Sequence, residues 1–210
     1  MIDPVSSAAA MWDERYARPS YAYGLEPNAF LAAQADRLKP GMRALVPGDG
    51  EGRNGVWLAE QGLDVDTFDL SAFGVAKAKA LAAERGVSLN AVQADALTWK
   101  WPEARYDLIA LIYLHLAEPE RRLVHAKALK ALKPGGLIVL EAFRPEQIAR
   151  HAAGTRGGPR DPALLYSLEA LQEDFAGKEV LILEAAEARV DEGRLHAGES
   201  AVVRALVRKG

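Results

Sequence analysis

The 210-residue sequence predicts a three-layer α/β domain built on a mostly parallel sheet. Short apolar runs alternate with amphipathic segments along most of the chain, an order typical of parallel strands joined by right-handed helical crossovers. Near the C-terminus, two apolar runs follow one another with only residues 191–198 between them. A connection that short predicts an antiparallel hairpin, so we expect the strand direction to reverse at the end of the chain.

The N-terminal segment is predicted to be helical and aromatic rather than part of the sheet. Residues 11–16 have helical spacing, with Trp12 and Tyr16 on one face. The segment 21–28 is aromatic and rich in turn residues, and a helix over 29–38 follows. This arm either packs its aromatic side chains on the domain or closes over a bound ligand, and the two roles are compatible.

Seven apolar runs after the arm are predicted to be strands, and four segments between them helices. The strands cover residues 44–46, 65–69, 89–93, 106–112, 137–142, 180–190 and 201–207, and the helices cover 56–61, 72–85, 119–132 and 168–175. Ser71 and Ser167 precede two of the helices as N-caps, and Gly62 and Gly86 follow two of them as stop signals.

A glycine-rich turn joins the first strand to the helix after it. The turn reads Gly48-Asp49-Gly50-Glu51-Gly52 and leads into Arg53 and Asn54. Glycine permits positive φ and lets a ligand approach the backbone, and the first N–H groups of the helix lack intrahelical partners. The turn therefore predicts a nucleotide-binding site, although packing alone also produces glycine-rich turns.

Carboxylates follow the next two strands. Asp69 ends the second strand about 20 residues after the glycines, the interval at which such folds bind ribose hydroxyls. Asp95 follows the third strand. Because the carboxyl ends of parallel strands share one edge of a sheet, we expect both side chains to lie beside the glycine turn.

These motifs together resemble the class I methyltransferases that use S-adenosylmethionine. The resemblance rests on Gly48 to Gly52, Asp69, Asp95-Ala96 and Lys133-Pro134-Gly135-Gly136. With Arg53 and Asn54, the turn is similar to the branch of tellurite-resistance and thiopurine methyltransferases. The resemblance extends from about residue 12 to 208 and implies a doubly wound, Rossmann-like, seven-stranded sheet with its last strand antiparallel. It also implies methyl transfer by in-line displacement.

The same resemblance implies the cofactor S-adenosyl-L-methionine, with S-adenosyl-L-homocysteine as the product, and its binding residues. They are Gly48, Asp49, Gly50, Arg53, Asn54, Asp69, Leu70, Asp95, Ala96, Ile112 and Tyr113. Asp69 would accept hydrogen bonds from the ribose and Asp95 from the adenine amine. The turn and the helix N-terminus would hold the methionine portion. Ile112 and Tyr113, which end the fourth strand, would lie beneath the sulfonium.

One position departs from the family pattern. The family usually has an acidic residue where this chain has Val46, and that residue helps to hold the methionine amine. An apolar residue compatible with a helix is usual where Pro47 stands. Asp49 is the candidate to supply the missing charge; without it, we expect weak cofactor binding.

Histidines are the candidates for catalysis. A general base is needed only if the acceptor must lose a proton. His115 lies just after the fourth strand and is the first candidate, and His196 in the final hairpin is the second. Both also fit as ordinary loop histidines. The chain has no cysteine, which excludes a thiolate nucleophile and a cysteine-based zinc site, and we predict no metal site.

The composition of the chain limits the classes of binding partner that we expect. The net charge of −3 and the lack of a basic block argue against a nucleic-acid surface, and no apolar run approaches the ~20 residues that span a bilayer. The first residues lack a signal segment, so we expect a cytoplasmic protein. The predicted partner is a small-molecule acceptor, with neither nucleic acid nor membrane, and the chain is expected to be a monomer or homodimer.

We expect a single domain over residues 1–210, in which 1–40 form the arm and lid and 41–210 the core with its C-terminal hairpin. Three other functions remain as alternatives: a weak or silent S-adenosylmethionine-binding protein, a protein or nucleic-acid methyltransferase, and an NAD-binding oxidoreductase. The last is disfavoured because the glycines at 48, 50 and 52 do not follow the Gly-x-Gly-x-x-Gly spacing of dinucleotide-binding folds.

Overall fold

The structure, a computed structural model, describes residues 4–152 and 154–210. The helices are α1 (Pro4–Tyr16), α2 (Ala29–Ala32), α3 (Arg53–Glu60), α4 (Ala72–Glu84), α5 (Glu120–Ala131), α6 (Gln147–Ala152) and α7 (Leu168–Asp174). The strands are β1 (Arg43–Pro47), β2 (Asp64–Asp69), β3 (Asn90–Gln93), β4 (Tyr106–Ile112), β5 (Leu132–Phe143), β6 (Glu179–Glu192) and β7 (His196–Arg208).

The seven strands form one sheet in the order β3-β2-β1-β4-β5-β7-β6. Strands β1 to β5 pair in parallel, whereas β7 is antiparallel to both β5 and β6. Among the described residues, β7 is therefore the one strand that is antiparallel to the rest of the sheet. The predicted fold class is confirmed.

Two apolar layers cover the sheet. On one face, α2 and α3 contribute Phe30, Leu31 and Leu58 to a core that also contains Val46 of β1. On the opposite face, helices α5 and α7 pack on the sheet through residues such as Val124. This sandwich leaves the carboxyl ends of β1 to β5 at one edge, where the connecting turns meet.

The helix predicted over residues 29–38 is wrong in its length. Helix α2 stops at Ala32, and a separate 3-10 turn covers Ala35–Arg37. The side-chain Nε2 of Gln34 donates to the carbonyl oxygen of Phe30 at 3.1 Å, the oxygen that the Gln34 amide would bond in a continuing α-helix. The Gln34 amide bonds Leu31 instead, so the local side-chain bond ends the α-helix.

The fifth strand begins earlier than predicted. The predicted strand starts at residue 137, but β5 starts at Leu132, which pairs with Tyr106. The Gly135 amide donates to the Lys209 carbonyl at 2.7 Å, and the Lys209 amide donates to Gly136 at 2.9 Å. Hydrogen bonds to the end of β7 thus hold this glycine-containing segment extended.

Candidate active site

The glycine turn lies at the carboxyl end of β1, as predicted. Gly48, Gly50 and Gly52 have φ angles of 66°, 60° and 92°, values that residues with a Cβ rarely adopt. Gly52 is the N-cap residue of α3 and has no side chain with which to cap that helix end. The N–H groups of Arg53 and Asn54, at the start of α3, therefore remain suited to an anionic group.

Asp69 lies directly beside this turn. One carboxylate oxygen accepts from the Gly50 amide at 2.8 Å, and the other accepts from the Ser71 amide at 2.8 Å. Burial raises the pKa of Asp69 to about 6, although both hydrogen bonds oppose the rise. Each carboxylate oxygen accepts more than one hydrogen bond, so Asp69 retains capacity for hydroxyl donors.

Asp49 points into the protein. Its carboxylate accepts from the Gly55 amide at 3.1 Å and from the Thr67 hydroxyl at 3.2 Å. Burial raises the pKa of Asp49 to about 7. Val46, at the position where the family usually has an acid, is buried in the core. The Asp49 side chain therefore serves as a cap for α3, and this geometry does not favour its predicted role in holding an amine.

The third strand end contributes Asp95 and Ala96. The Asp95 carboxylate accepts from the Leu97 amide at 2.8 Å and so holds the turn after β3. Ala96 is buried, and its carbonyl accepts from the Trp101 indole at 3.0 Å. Leu70 is half-buried, with its carbonyl accepting from the Gln93 amide group at 2.9 Å. These residues lie at the same sheet edge as Asp69.

Arg53 and Asn54 are directed towards other segments of the chain. The Arg53 guanidinium donates to Glu192 at 2.8 Å and to the carbonyl of Glu26 at 3.2 Å. The Asn54 side-chain oxygen accepts from the Asn28 amide at 2.9 Å. Both were predicted to bind cofactor through the helix N-terminus, and their side chains instead join α3 to the arm and to the hairpin.

The end of β4 contains a strained residue. Ile112 is buried, and Tyr113 after it has a φ of 53°, uncommon for a bulky side chain. The Tyr113 hydroxyl donates to Glu141 at 2.7 Å, and the Arg204 guanidinium donates to the other oxygen of Glu141 at 2.5 Å. Backbone strain of this kind clusters at functional sites, and here a buried ion pair holds the strained residue in position.

His115 has backbone partners on both ring nitrogens. Its Nδ1 lies 2.7 Å from the Leu164 carbonyl, and its Nε2 accepts from the Phe143 amide at 3.3 Å. The carbonyl requires a proton on Nδ1, so Nε2 is the acceptor. Burial lowers the pKa of His115 to about 4. The ring is therefore neutral and already engaged, an arrangement that suits a structural clamp better than a base.

His196, unlike His115, has a hydrogen-bond partner on only one ring nitrogen among the described residues. Its Nδ1 lies 3.2 Å from Glu192, and no group within the described residues forms a hydrogen bond with Nε2. The rings of Tyr23, Tyr113 and Phe143 lie 4.4, 4.8 and 5.3 Å from its own, centroid to centroid. The pKa of His196 is lowered because burial outweighs the opposing effect of Glu192, which favours the protonated ring. Of the two predicted histidines, His196 is thus the one whose geometry fits a base.

The N-terminal arm lies over this edge of the sheet. The Ala22 amide donates to Glu51 in the glycine turn at 2.6 Å, and the Leu195 amide in the hairpin donates to the Ala22 carbonyl at 3.2 Å. A Cβ added to Gly50 would lie 2.6 Å from the Tyr16 hydroxyl, so Tyr16 covers the turn directly. A cavity of about 320 Å³ lies between the arm and the hairpin, with Tyr113 and Glu192 in its wall.

Several residues of this edge were not identified from the sequence. Glu51, Glu141 and Glu192 are carboxylates in contact with the arm, with Tyr113 after β4, and with α3, respectively. Glu141 carried a signal, because it is an acid inside the apolar run of β5. Glu192 carried none, since it lies in a hairpin rich in charged residues.

The chain resembles known proteins in sequence and in fold. Residues 44–136 match the family described as "Methyltransferase domain", which runs here from β1 into β5. A glycine/sarcosine N-methyltransferase from Halorhodospira halochloris is 35% identical over 117 residues, or 52% of this chain and 42% of the relative. The matched segment thus spans less than half of that relative's length.

Solved structures share the fold over nearly the whole chain. One, from work on the conversion of a disulfide bond into a thioacetal group during echinomycin biosynthesis, has a TM-score of 0.77. It is 21% identical, with 96% of this chain and 92% of that one covered. TehB from Haemophilus influenzae has a TM-score of 0.72 at 15% identity, with 96% of this chain and 67% of that one covered.

These matches support the predicted family, the class I S-adenosylmethionine-dependent methyltransferases, with the sequence match lying over residues 44–136. The same matches support the predicted methyltransferase class and the predicted cofactor, S-adenosylmethionine. Within residues 4–152 and 154–210, no helix combines the length and the apolar composition needed to cross a membrane.

Proposed function

We propose that this protein is a cytoplasmic methyltransferase that transfers a methyl group from S-adenosylmethionine to a small-molecule acceptor. The observation that carries the proposal is the hydrogen bond from the Gly50 amide to Asp69, which joins the glycine turn to the carboxylate of the next strand. Asp69 supplies carboxylate oxygens that can accept hydrogen bonds from ligand hydroxyl groups, and the glycine turn supplies a backbone that a ligand can approach closely.

The residues present fit the cofactor in part. Asp69 would hold the ribose, and Asp95 and Ala96 the adenine. The first amides of α3, at Arg53 and Asn54, would hold the methionine carboxylate. When bound, the cofactor would supply an electrophilic methyl carbon and a sulfur leaving group, which would keep the electron pair of the broken carbon–sulfur bond.

The chain's own contribution is orientation, exclusion of water and proton transfer. The described part of the arm, residues 4–40, would close the site, because methyl transfer benefits from a dry, fixed geometry in which the acceptor and the methyl carbon are aligned. His196 would accept, at Nε2, the proton that a hydroxyl or thiol acceptor loses. The lowered pKa of His196 keeps Nε2 unprotonated at neutral pH.

Two measurements test the proposal. Calorimetric titration with S-adenosylhomocysteine should give saturable binding, and NAD should not bind. Single-turnover assays with methyl-labelled S-adenosylmethionine and a panel of thiol, amine, hydroxyl and metalloid acceptors should then transfer label to at least one compound. Saturable binding of NAD with none of S-adenosylhomocysteine would contradict it.

One observation favours a second candidate, a protein that binds the cofactor weakly or without turnover. Val46 is 1% exposed and apolar, and Asp49 is committed to Gly55 and Thr67. The carboxylate that usually holds the methionine amine is therefore not replaced by Asp49. Binding of S-adenosylhomocysteine with no label transfer to any acceptor class would identify this second function.

A further inference from the structure

We propose that Arg53 and Glu192 are positioning residues that orient His196, so that Nε2 of its ring faces the methyl acceptor. The inference rests on the proposed function and extends it, since neither residue was assigned to the acceptor side. Arg53 begins α3 beside the glycine turn, Glu192 ends β6, and His196 begins β7. The three side chains link the cofactor-binding turn to the hairpin.

The three groups share one oxygen atom. Oε2 of Glu192 accepts from the Arg53 guanidinium at 2.8 Å and lies 3.2 Å from Nδ1 of His196. The side chains of Arg53, Glu192 and His196 are only 7%, 12% and 9% exposed, so water competes little for these contacts. An ionised carboxylate only accepts hydrogen bonds, which requires a proton on Nδ1 and leaves Nε2 with its lone pair.

Arg53 keeps Glu192 ionised. Burial would raise the pKa of Glu192, but the hydrogen bond from His196 and the charge of Arg53 outweigh it and the pKa is lowered. The other oxygen of Glu192 lies 3.3 Å from the Asn28 side-chain amide, which fixes the plane of the carboxylate. A charged and oriented acceptor at Nδ1 sets both the tautomer and the direction of the imidazole ring.

The proposed step balances in protons. The hydroxyl or thiol proton of the methyl acceptor moves to Nε2 of His196. At the same time, a lone pair on the acceptor's oxygen or sulfur forms the new bond to the methyl carbon. His196 then carries a positive charge that Glu192 stabilises, and the proton passes to solvent after the methylated product leaves. The charged and titratable groups that surround His196 are Glu192 on β6, Arg53 on α3, Arg15 on α1, Tyr23 in the arm, and Tyr113 and His115 after β4.

The test combines a spectroscopic readout with kinetics. Long-range ¹H–¹⁵N correlation spectra of the ¹⁵N-histidine-labelled protein, without ligand, should show His196 with a protonated Nδ1 and an unprotonated Nε2. Glu192→Gln should shift His196 towards the other tautomer, and Arg53→Lys should weaken the preference for Nδ1–H. Glu199→Gln is the matched control, because Glu199 is an exposed carboxylate in the same hairpin and should leave the spectrum unchanged.

In assays with a hydroxyl or thiol acceptor, Glu192→Gln should lower kcat about 10- to 100-fold, the usual range for such supporting groups. The KM for S-adenosylmethionine should stay within about twofold. The acid limb of the pH–rate profile should move to lower pH, because the carboxylate that raises the pKa of His196 is lost.

An unchanged His196 tautomer in folded Glu192→Gln and Arg53→Lys proteins would overturn the inference. A loss of S-adenosylhomocysteine affinity as large as the loss of kcat would also overturn it. That result would mean that Arg53 and Glu192 support the glycine turn and not the orientation of His196. The ligand-free spectrum is independent of turnover, so its outcome stands even if no acceptor is methylated and the proposed function fails.

Discussion

The backbone amide of Ala22 donates a hydrogen bond to the carboxylate of Glu51 at 2.6 Å, which ties the N-terminal arm to the glycine turn. The other Glu51 oxygen accepts from Lys77 on α4 at 2.6 Å, and the same ammonium group bonds the carbonyls of Arg18 and Ser20. Glu51 is 4% exposed, so these bonds are shielded from water. Glu51 therefore ties the arm both to the glycine turn and, through Lys77, to α4.

Replacing Glu51 should loosen the arm. A hydrogen bond to a charged group contributes about 1.5–3 kcal/mol, so Glu51→Gln should speed hydrogen exchange at the Ala22 amide by about 10- to 100-fold. Amide exchange followed by NMR measures this directly. Glu26→Gln is the control, since Glu26 lies in the arm but its side chain is 87% exposed. Equal protection of Ala22 in the Glu51 variant and the wild type would contradict this account of the arm.

Asp69→Ala should abolish detectable binding of S-adenosylhomocysteine while leaving the fold intact. The variant removes the acceptor proposed for the ribose hydroxyls, and calorimetric titration measures the loss. Asp64→Ala is a matched control at the other end of β2, where the side chain is 61% exposed. Retained affinity in the Asp69 variant would show that the ribose binds elsewhere.

Cofactor affinity should also depend on pH through Asp69. Burial raises the pKa of this carboxyl to about 6, so it gains a proton as the pH falls from 7.5 to 5.5. A protonated carboxyl is a weaker acceptor than a carboxylate, and affinity should therefore decline across this interval. Titrations at several pH values measure the trend, and in Asp69→Asn any residual affinity should lack the part of this dependence that is centred near pH 6.

The glycine turn and the carboxylate beside it were predictable because their signals are local. Positive φ at Gly48, Gly50 and Gly52 and the strand-end position of Asp69 follow from short stretches of sequence and from parallel pairing. The contact of Glu192 with Arg53 was not predictable, since it joins residues 139 positions apart. The hydrogen bond from the Gln34 side chain to the Phe30 carbonyl, which shortens the helix predicted over 29–38, was not predictable either. The spacing of apolar residues predicts a helix there and carries no information about this side-chain bond.

His115 and His196 should separate in their effects. His115→Phe leaves the Leu164 carbonyl and the Phe143 amide without their partner, at a cost of about 1–3 kcal/mol for each buried group. We expect it to lower the free energy of unfolding, measured by denaturant titration. His196→Gln should instead lower kcat for a hydroxyl or thiol acceptor, with a smaller effect on stability. A His115 variant of native stability that had lost its turnover would reverse these assignments.

The pairing of Asp174 with Arg121 and His125 predicts a large effect on stability. Asp174 accepts from Arg121 at 2.7 Å and lies 2.8 Å from Nδ1 of His125, and its side chain is fully buried between α5 and α7. Asp174→Asn leaves the buried Arg121 guanidinium without its counter-charge. Breaking such a pair costs about 3–5 kcal/mol, which denaturant unfolding at pH 7 measures. Glu173→Gln is the control, because that side chain is 63% exposed and its ion pair with Arg122 contributes little.

The stability difference between the wild type and Asp174→Asn should depend on pH. Burial opposes ionisation of Asp174, but the hydrogen bonds from His125 and Arg121 outweigh it and hold its pKa below the ordinary value of 3.8. A carboxyl whose pKa is lowered by folding stabilises the native state above its unfolded pKa and loses that contribution in acid. The difference should therefore be full at neutral pH and shrink as the pH falls below 3.8. A difference that stays constant down to the acid transition would mean that lost packing, rather than the lost charge, destabilises the variant.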